Sequence, residues 1–401
     1  MDLNKLVEQV LSATDRTWPE LADLPDPEQL AAVAFTEVLD RAQLFDAPRI
    51  QVPVQFDLRL PDGSTLDYLV ILNEQGRTAE PGRDDAASVT VRQDLAELVH
   101  AVYGPPGTTP NATRELFILD EPGAETDSPN DPWLRHRQQL VVAAGQIVSA
   151  CSRYRYELAA LARRFGSDKW GDQLYTPRYE RHFAPYRGRR VRLLEIGIGG
   201  FESADAGGES LRMWKYYFPR GLIYGLDIFD KSPLDELRVR TMRGDQADPT
   251  FLTELAGRIG PLDIVIDDGS HISKHVITSF RALFPLLRPG GMYVIEDLQT
   301  SYWPGWNGNI RDLNDVRTST GFLKTLVDGL HHQDQPRDTP FQPSELDRWI
   351  GGVHFYHNIV FIEKAVNNEP TAPSWVRREV NDMDLFPRGS MRKLPSGQDV
   401  G

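Results

Sequence analysis

Cysteine is almost missing from this chain. Cys151 is the only one in 401 residues, which excludes an intrachain disulfide and any cysteine-built zinc or iron–sulfur site. Long apolar runs are missing too: none reaches the roughly 18 residues a membrane helix needs. The opening Met1-Asp2-Leu3-Asn4-Lys5 carries no apolar core of a secretion signal, so the expectation is a soluble cytoplasmic protein with no membrane partner. Basic charge is in deficit, 44 Lys and Arg against 58 Asp and Glu, a net charge of −14. Nucleic-acid binding needs a basic face, so no nucleic-acid partner is expected. A small-molecule enzyme is favoured over a nucleic-acid methylase.

The chain has enough apolar residues, 40%, to bury a sizeable core, and its length suits two domains. Leu3, Leu6, Val7, Val10 and Leu11 have helical spacing, as do Leu30, Val33, Ala34, Val38 and Leu39. Then the period changes to two. Val52, Val54, Phe56, Leu58 and Leu60 alternate, Pro61-Asp62-Gly63-Ser64 turns, and Leu66, Tyr68, Val70 and Leu72 follow, which predicts a β-hairpin. A short strand at Val89–Val91 and a helix near Asp94–Tyr103 come next. An acidic, breaker-rich stretch from Glu121 to Asp131 predicts a surface loop. The pattern from about Trp133 to Arg164 predicts a long connecting helix. From Phe165 onward, strand and helix alternate, which predicts an α/β doubly wound, Rossmann-like sheet. The domain expectation is therefore 1–132 as an N-terminal α+β auxiliary or oligomerisation domain, 133–164 as connector, and 165–401 as the catalytic domain. The polar, proline-containing tail after Asn367 is expected to be an arm.

Two groups of motifs carry chemistry. In the first, the strand Val191–Ile196 runs into Glu195-x-Gly197-x-Gly199-Gly200, and the next strand ends in Asp227. Glycines after a first strand let backbone approach a ligand, and an acid at the second strand's end can accept from a ribose diol. A dinucleotide fingerprint would read Gly-x-Gly-x-x-Gly with phosphate at the helix start. Here Glu202 and Asp205 follow the turn, and acids there repel a pyrophosphate. S-adenosylmethionine has no phosphate and carries a positive sulfonium, so it suits this corner. Asp245-Gln246 then suits the adenine edge. The candidate cofactor contacts are Ser167, Tyr175, Tyr179, Glu195, Gly197, Gly199, Asp227, Asp245, Gln246 and Asp267. Each acid alone could be an ordinary loop residue, and Asp267 could simply cap the next helix; the set together points to a cofactor.

In the second group, Ile264-Val265-Ile266 ends in Asp267-Asp268-Gly269-Ser270-His271, and Met292-Tyr293-Val294-Ile295 ends in Glu296-Asp297. Ligands of parallel sheets bind beyond the carboxyl ends of strands. Asp268, Glu296 and Asp297 are thus candidate oxygen ligands for a hard cation such as Mg²⁺. Gathered without a cation they would repel one another. His271 is the candidate general base; on its own it could equally be a helix-start residue. Ser270 lacks a Gly-x-Ser-x-Gly elbow and reads as a turn residue. His275 reads as structural. Trp303 and Trp306 follow the acids and could stack on a sugar or bury themselves to fix the loop. The acids have no two-histidine partner set, which argues against a metal-dependent hydroxylase.

Ser167-Asp168-Lys169-Trp170, Leu194-Glu195-Ile196-Gly197-Ile198-Gly199, Ile266-Asp267-Asp268-Gly269-Ser270-His271, Ile295-Glu296-Asp297 and His354-Phe355-Tyr356-His357-Asn358 together resemble the metal-dependent sugar O-methyltransferases of antibiotic biosynthesis, of the mycinamicin VI 2''-O-methyltransferase (macrolide and rhamnose) type. The resemblance spans roughly Phe165 to Lys364. It implies a class I methyltransferase sheet that uses S-adenosylmethionine and Mg²⁺, with Asp268, Glu296 and Asp297 on the metal and His271 as base. It also implies a homotetramer whose N-terminal domain helps assemble the site, and a glycosylated natural product, such as a macrolide, as substrate. The 2-hydroxyl of a deoxysugar or rhamnose is the first expectation. Methylation of a catechol-type diol and a non-catalytic cofactor-binding protein are the alternatives.

Overall fold

The structure, a computed structural model, describes residues 3–15, 26–106, 112–118, 132–152, 155–335 and 342–368. The acidic stretch up to Asp131 and the tail beyond 368 lie outside these residues. Among the described residues no helix is long and apolar enough to cross a membrane. The chain divides into two compact units, Met1–Asp245 and Gln246–Gly401.

The first unit opens with helices α1 (Leu3–Ala13) and α2 (Pro27–Ala42). Asp26 caps α2, its carboxylate accepting from Glu28 N at 3.2 Å, and Pro27 takes the first helical position, where a missing N–H costs nothing. Strands β1 (Val52–Arg59), β2 (Thr65–Asn73), β3 (Gly76–Pro81) and β4 (Val89–Asp94) follow, then α3 (Leu95–Tyr103) and β5 (Glu115–Ile118). They form a five-stranded sheet in the order β3-β2-β1-β4-β5. The predicted hairpin is β1 against β2, with Phe56 opposite Tyr68. The apolar alternation puts Val52, Val54, Phe56 and Leu58 in the core, where Phe35 of α2 stacks on Tyr68 at 4.5 Å and meets Phe56 edge-on at 5.0 Å.

The stretch expected as one connecting helix is two. Helix α4 (Pro132–Ala150) packs Leu140, Ala143, Ala144 and Ile147 into the N-terminal core, and α5 (Leu158–Phe165) starts afresh. The break has a local cause. Ser152 Oγ turns back to the Val148 carbonyl at 2.6 Å and Arg114 donates to the Cys151 carbonyl at 3.3 Å, so the end of α4 is satisfied without another turn. Helix α6 (Thr176–Phe183), β6 (Val191–Ile196), α7 (Glu209–Tyr217), β7 (Gly221–Asp227) and β8 (Val239–Arg243) complete this unit, with β6, β7 and β8 parallel neighbours.

Buried charge joins these strands to the N-terminal helices. Glu37 of α2 accepts from Arg238 at 2.7 and 2.9 Å and from Arg41 at 3.0 Å, all three being buried. Burial alone would raise the Glu37 carboxyl, but Arg238 and Arg41 outweigh it and hold it well below the usual carboxylate range.

The second unit contains α8 (Pro249–Ile259), β9 (Leu262–Asp267), α9 (Ser273–Leu283), β10 (Leu287–Ile295), α10 (Ser319–Leu330), β11 (Ile350–Tyr356) and β12 (Ile359–Lys364). Its strands run in the order β11-β12-β10-β9. Strands β9 and β10 are parallel, with Ile266 opposite Val294 and Asp267 opposite Ile295, and β12 runs antiparallel to both β10 and β11. Pro289-Gly290-Gly291, turn-forming in composition, sits inside β10 as an irregularity in its pairing between Leu287 and Met292.

Candidate functional site

The glycine turn after β6 is a compact loop. Gly200 and Gly207 both have left-handed backbone, and a Cβ on Gly200 would lie 2.2 Å from the Ala206 carbonyl oxygen. Only glycine lets the two arms of the turn approach this closely. Asp227 braces it: one carboxylate oxygen accepts from Ile198 N at 3.0 Å and the other from Phe229 N at 2.9 Å. A carboxylate oxygen has a second lone pair, so the half-buried Asp227 can still accept from a ligand hydroxyl. Lys231, buried, donates to the Ser203 and Ala206 carbonyls at 2.7 and 3.0 Å and pins the acidic part of the turn.

Glu195 does not stand at the surface of this corner. It is fully buried; Oε2 accepts from Ser210 Oγ at 2.8 Å and Trp214 Nε1 at 3.1 Å, and the equally buried Lys169 lies 3.4 Å from Oε1. Its visible work is to anchor α7 and the Ser167–Trp170 turn behind the glycines. Ser167, Tyr175 and Tyr179 are also buried, Tyr179 against Trp214 and Phe183. Asp245 is exposed at the end of this unit.

In the second unit the parallel register of β9 and β10 brings both acid-bearing strand ends out at the same end. Asp267 and Asp268, adjacent in sequence, separate in role because successive strand side chains point to opposite faces. Asp267 is buried, accepting from Gln246 Nε2 at 3.0 Å and from Ser279 Oγ on α9. Burial raises its pKa, and those two donors oppose the rise. Gln246 is spent as well, since its Oε1 takes the Ser270 N–H at 2.6 Å. The two residues expected at the cofactor's edge thus brace the turn that carries Asp268 and His271, and the structure gives them little surface for a ligand.

Asp268, His271 and Asp297 offer one ligand atom each within 4.8 Å of one another, and Asp268 and Glu296 do the same. Asp268 is therefore the shared member of the cluster. His271 Nε2 lies 3.6 Å from Asp297 Oδ2, with both side chains 24% exposed. Glu296 is buried. His271 and Asp297 both have left-handed backbone, φ 55 and φ 54. Thr300 Oγ1 reaches the His271 carbonyl at 3.0 Å and the Asp297 carbonyl at 2.9 Å, tying the two strand ends together. His275 Nδ1 pairs with Ser270 Oγ at 3.0 Å, and Ser270 Oγ also accepts from Ile272 N at 3.3 Å within the turn. Trp303 and Trp306 meet edge-on at 5.5 Å and remain part-exposed, 46% and 40%. The cluster suits a hard divalent cation, since it gathers carboxylate oxygens from two separate strand ends.

Sequence reasoning missed Lys169, Lys231, Ser279 and Thr300. Lys169 lies inside a motif that the resemblance had marked; the others are fixed by long-range contacts that leave no local pattern.

A family model described as MycE methyltransferase N-terminal matches residues 7–114. The chain is 43% identical over 381 residues to demethylmacrocin O-methyltransferase of Streptomyces fradiae, covering 93% of this chain and 95% of that one. It is 48% identical over 328 residues to the 8-demethyl-8-alpha-L-rhamnosyl tetracenomycin-C 2'-O-methyltransferase of Streptomyces olivaceus, 80% of each. The chain belongs to the sugar O-methyltransferases of antibiotic biosynthesis. A solved structure of this family, the MycE methyltransferase of the mycinamycin pathway with Mg and SAH, superposes with a TM-score of 0.83 at 38% identity, covering 94% of this chain and 97% of that one. The expected Rossmann-like methyltransferase fold with an N-terminal domain is thereby established for this sugar O-methyltransferase.

Proposed function

We propose that this sugar O-methyltransferase moves a methyl group from S-adenosylmethionine to the 2-hydroxyl of a deoxysugar or rhamnose on a glycosylated natural product such as a macrolide. The observation that carries the reading is the Asp268–His271–Asp297 cluster, three ligand atoms within 4.8 Å at the ends of two parallel strands. In support, one relative is a 2'-O-methyltransferase of a rhamnosyl tetracenomycin, and the MycE structure holds Mg and SAH.

Asp268, Glu296 and Asp297 would hold Mg²⁺, which supplies electrostatic stabilisation of a developing alkoxide and lowers the acceptor hydroxyl's pKa. S-adenosylmethionine supplies the methyl group as an electrophile. The glycine turn and Asp227 seat the donor; Asp245 lies at its adenine edge. Ser167, Tyr175, Tyr179 and Glu195 would back the donor in the first unit; in the second, Gln246 and Asp267 brace the turn that carries Asp268 and His271. His271 takes the acceptor proton on its imidazole, and Asp297, 3.6 Å away, stabilises the imidazolium that results. The exposed Trp303 and Trp306 offer an apolar face to the acceptor. We assign residues 1–132 to the auxiliary domain, 133–164 to the connector and 165–401 to the methyltransferase domain, in a homotetrameric cytoplasmic enzyme.

The test is product mass spectrometry on demethyl glycosides, with metal-stripped enzyme and His271→Ala in parallel. Stripping is expected to abolish product and Mg²⁺ to restore it. His271→Ala is expected to lose turnover while keeping cofactor affinity. Full activity without metal, or normal turnover in the variant, defeats the assignment.

A further inference from the structure

A cavity of about 440 Å³ in the first unit shares no lining residue with the cofactor or metal groups. In a chain of net charge −14, its lining has the opposite sign, with seven basic side chains and a single acid, Glu37. Four of the cations are already neutralised. Arg41 and Arg238 share Glu37, Lys215 pairs with Asp40 at 2.7 Å and Glu236 at 3.1 Å, and Arg220 pairs with Asp15.

The other three, Arg155, Arg187 and Arg189, have no carboxylate partner among the described residues. Arg187 lies 4.7 Å over the Tyr217 ring and donates to the Tyr156 carbonyl, and Arg189 lies 5.4 Å over Tyr186. These contacts fix two guanidinium groups without cancelling their charge. Fixed, planar, uncancelled guanidinium groups suit bidentate binding of phosphate oxygens.

Apart from Ser152, the rest of the lining is apolar or aromatic. Tyr156 and Tyr216 meet edge-on at 6.5 Å, and Pro106, Pro185 and Pro219 lie around them. Gly188 closes one wall tightly, since a Cβ there would sit 2.4 Å from Pro106. The volume falls in the range of small-molecule sites.

We propose that this cavity binds a nucleoside diphosphate, its phosphates on Arg155, Arg187 and Arg189 and its base against the half-buried Tyr156, whose edge Tyr216 supports from its own stack on Phe165. It is a second ligand site, separate from methyl transfer. Pyrophosphate supplies the charge without the flat body, and a nucleoside supplies the flat body without the charge.

The experiment is calorimetric titration of the full chain, saturated with S-adenosylhomocysteine so that the cofactor site is closed to adenine. ADP, pyrophosphate and adenosine are the probes, at about 50 mM salt to limit screening. ADP is expected to bind at tens of micromolar or tighter, with pyrophosphate weaker by about tenfold and adenosine undetected at about 1 mM. The double variant Arg155→Glu with Arg189→Glu should lose ADP binding by about tenfold or more. A matched reversal outside the cavity, Arg163→Glu with Arg258→Glu, should change it less than about twofold; circular dichroism melting checks that both variants fold. No ADP binding at about 1 mM, pyrophosphate as tight as ADP, or equal losses in both variants overturns the proposal.

Discussion

Thr300→Val asks whether the tie between the two strand ends positions the proposed base. Its hydroxyl lies 3.0 Å from the His271 carbonyl and 2.9 Å from the Asp297 carbonyl. The two carbonyls differ in what remains after the change. Asp297 still accepts from the Thr300 backbone N–H at 3.2 Å, whereas the His271 carbonyl loses its donor. The lost bond is worth about 0.5–1.5 kcal/mol net. His271 holds left-handed backbone, φ 55, which costs a non-glycine residue roughly 1–2 kcal/mol. The two magnitudes are similar, so removing the tie is enough to let the His271 backbone relax out of its strained state. A reactive group displaced by about 1 Å can lose about 100-fold in rate. Thr300→Val is therefore expected to lower kcat by about 10- to 100-fold, with KM for S-adenosylmethionine unchanged and the fold intact. Thr300→Ser keeps the hydroxyl and should retain most of the rate. The assay is steady-state methyl transfer at saturating Mg²⁺, alongside thermal melting. Wild-type kcat in Thr300→Val, or equal losses in the Val and Ser variants, refutes the positioning role.

Glu37→Gln leaves two buried arginines without their carboxylate and should cost about 3–5 kcal/mol of stability, measured by urea unfolding. A loss below about 1 kcal/mol would show that the cluster contributes little. Because the folded-state pKa of Glu37 lies below its unfolded value, its stabilisation is present above about pH 4.3 and is lost as pH falls further. Wild-type melting temperature should drop over that acid window, and the Gln variant should show a flatter profile. Cys151 is buried, and burial pushes its thiol up to about 11, so Ellman's reagent at pH 8 should leave the native chain unlabelled and label one thiol per chain after unfolding. Rapid full labelling of the native chain would contradict that burial.

The parts of the fold legible in the sequence are those with a local period. The Val52–Leu72 alternation gave the hairpin, and the alternation of strand and helix after Phe165 gave the sheet. At the candidate site, the gathering of Asp268, Glu296, Asp297 and His271 was legible because two apolar strand runs end in these acids, with His271 just beyond the first, and parallel strands end together. The roles of Glu195 and Asp267 were not legible. Both stand in motif positions, yet their oxygens are taken by Trp214, Ser210 and Ser279 from later helices. Burial of a strand-end acid depends on what the next helix carries, and no periodicity reports that. The Glu37–Arg238 pair spans nearly the whole first unit, so the sequence offered only two ordinary charged residues in helical and loop settings. The connecting helix failed for a smaller reason: Ser152 ends α4 by bonding back to its own last turn.

Left-handed backbone separates the two halves of the chemistry by residue type. In the turn after β6 such positions fall to Gly197, Gly199 and Gly200, with Phe201 beyond them. After β9, after β10 and in the β11–β12 turn they fall to His271, Asp297 and Asn358. Glycine would adopt these three conformations without the strain of a Cβ. The residues found there instead are the types that tolerate the left-handed region best among side-chain-bearing residues. At the glycine turn, what matters is close approach of backbone, and a side chain would obstruct it, as the 2.2 Å contact at Gly200 shows. At the strand ends of the second unit the proposed chemistry uses the side chain itself, which a glycine would not supply. The tie from Leu298 N to the Asn358 carbonyl at 3.1 Å, with that from Thr300 to His271, holds the strained backbone in place. A strain that a glycine would remove supports the proposed use of the His271 imidazole and the Asp297 carboxylate, and it does so without reference to any motif.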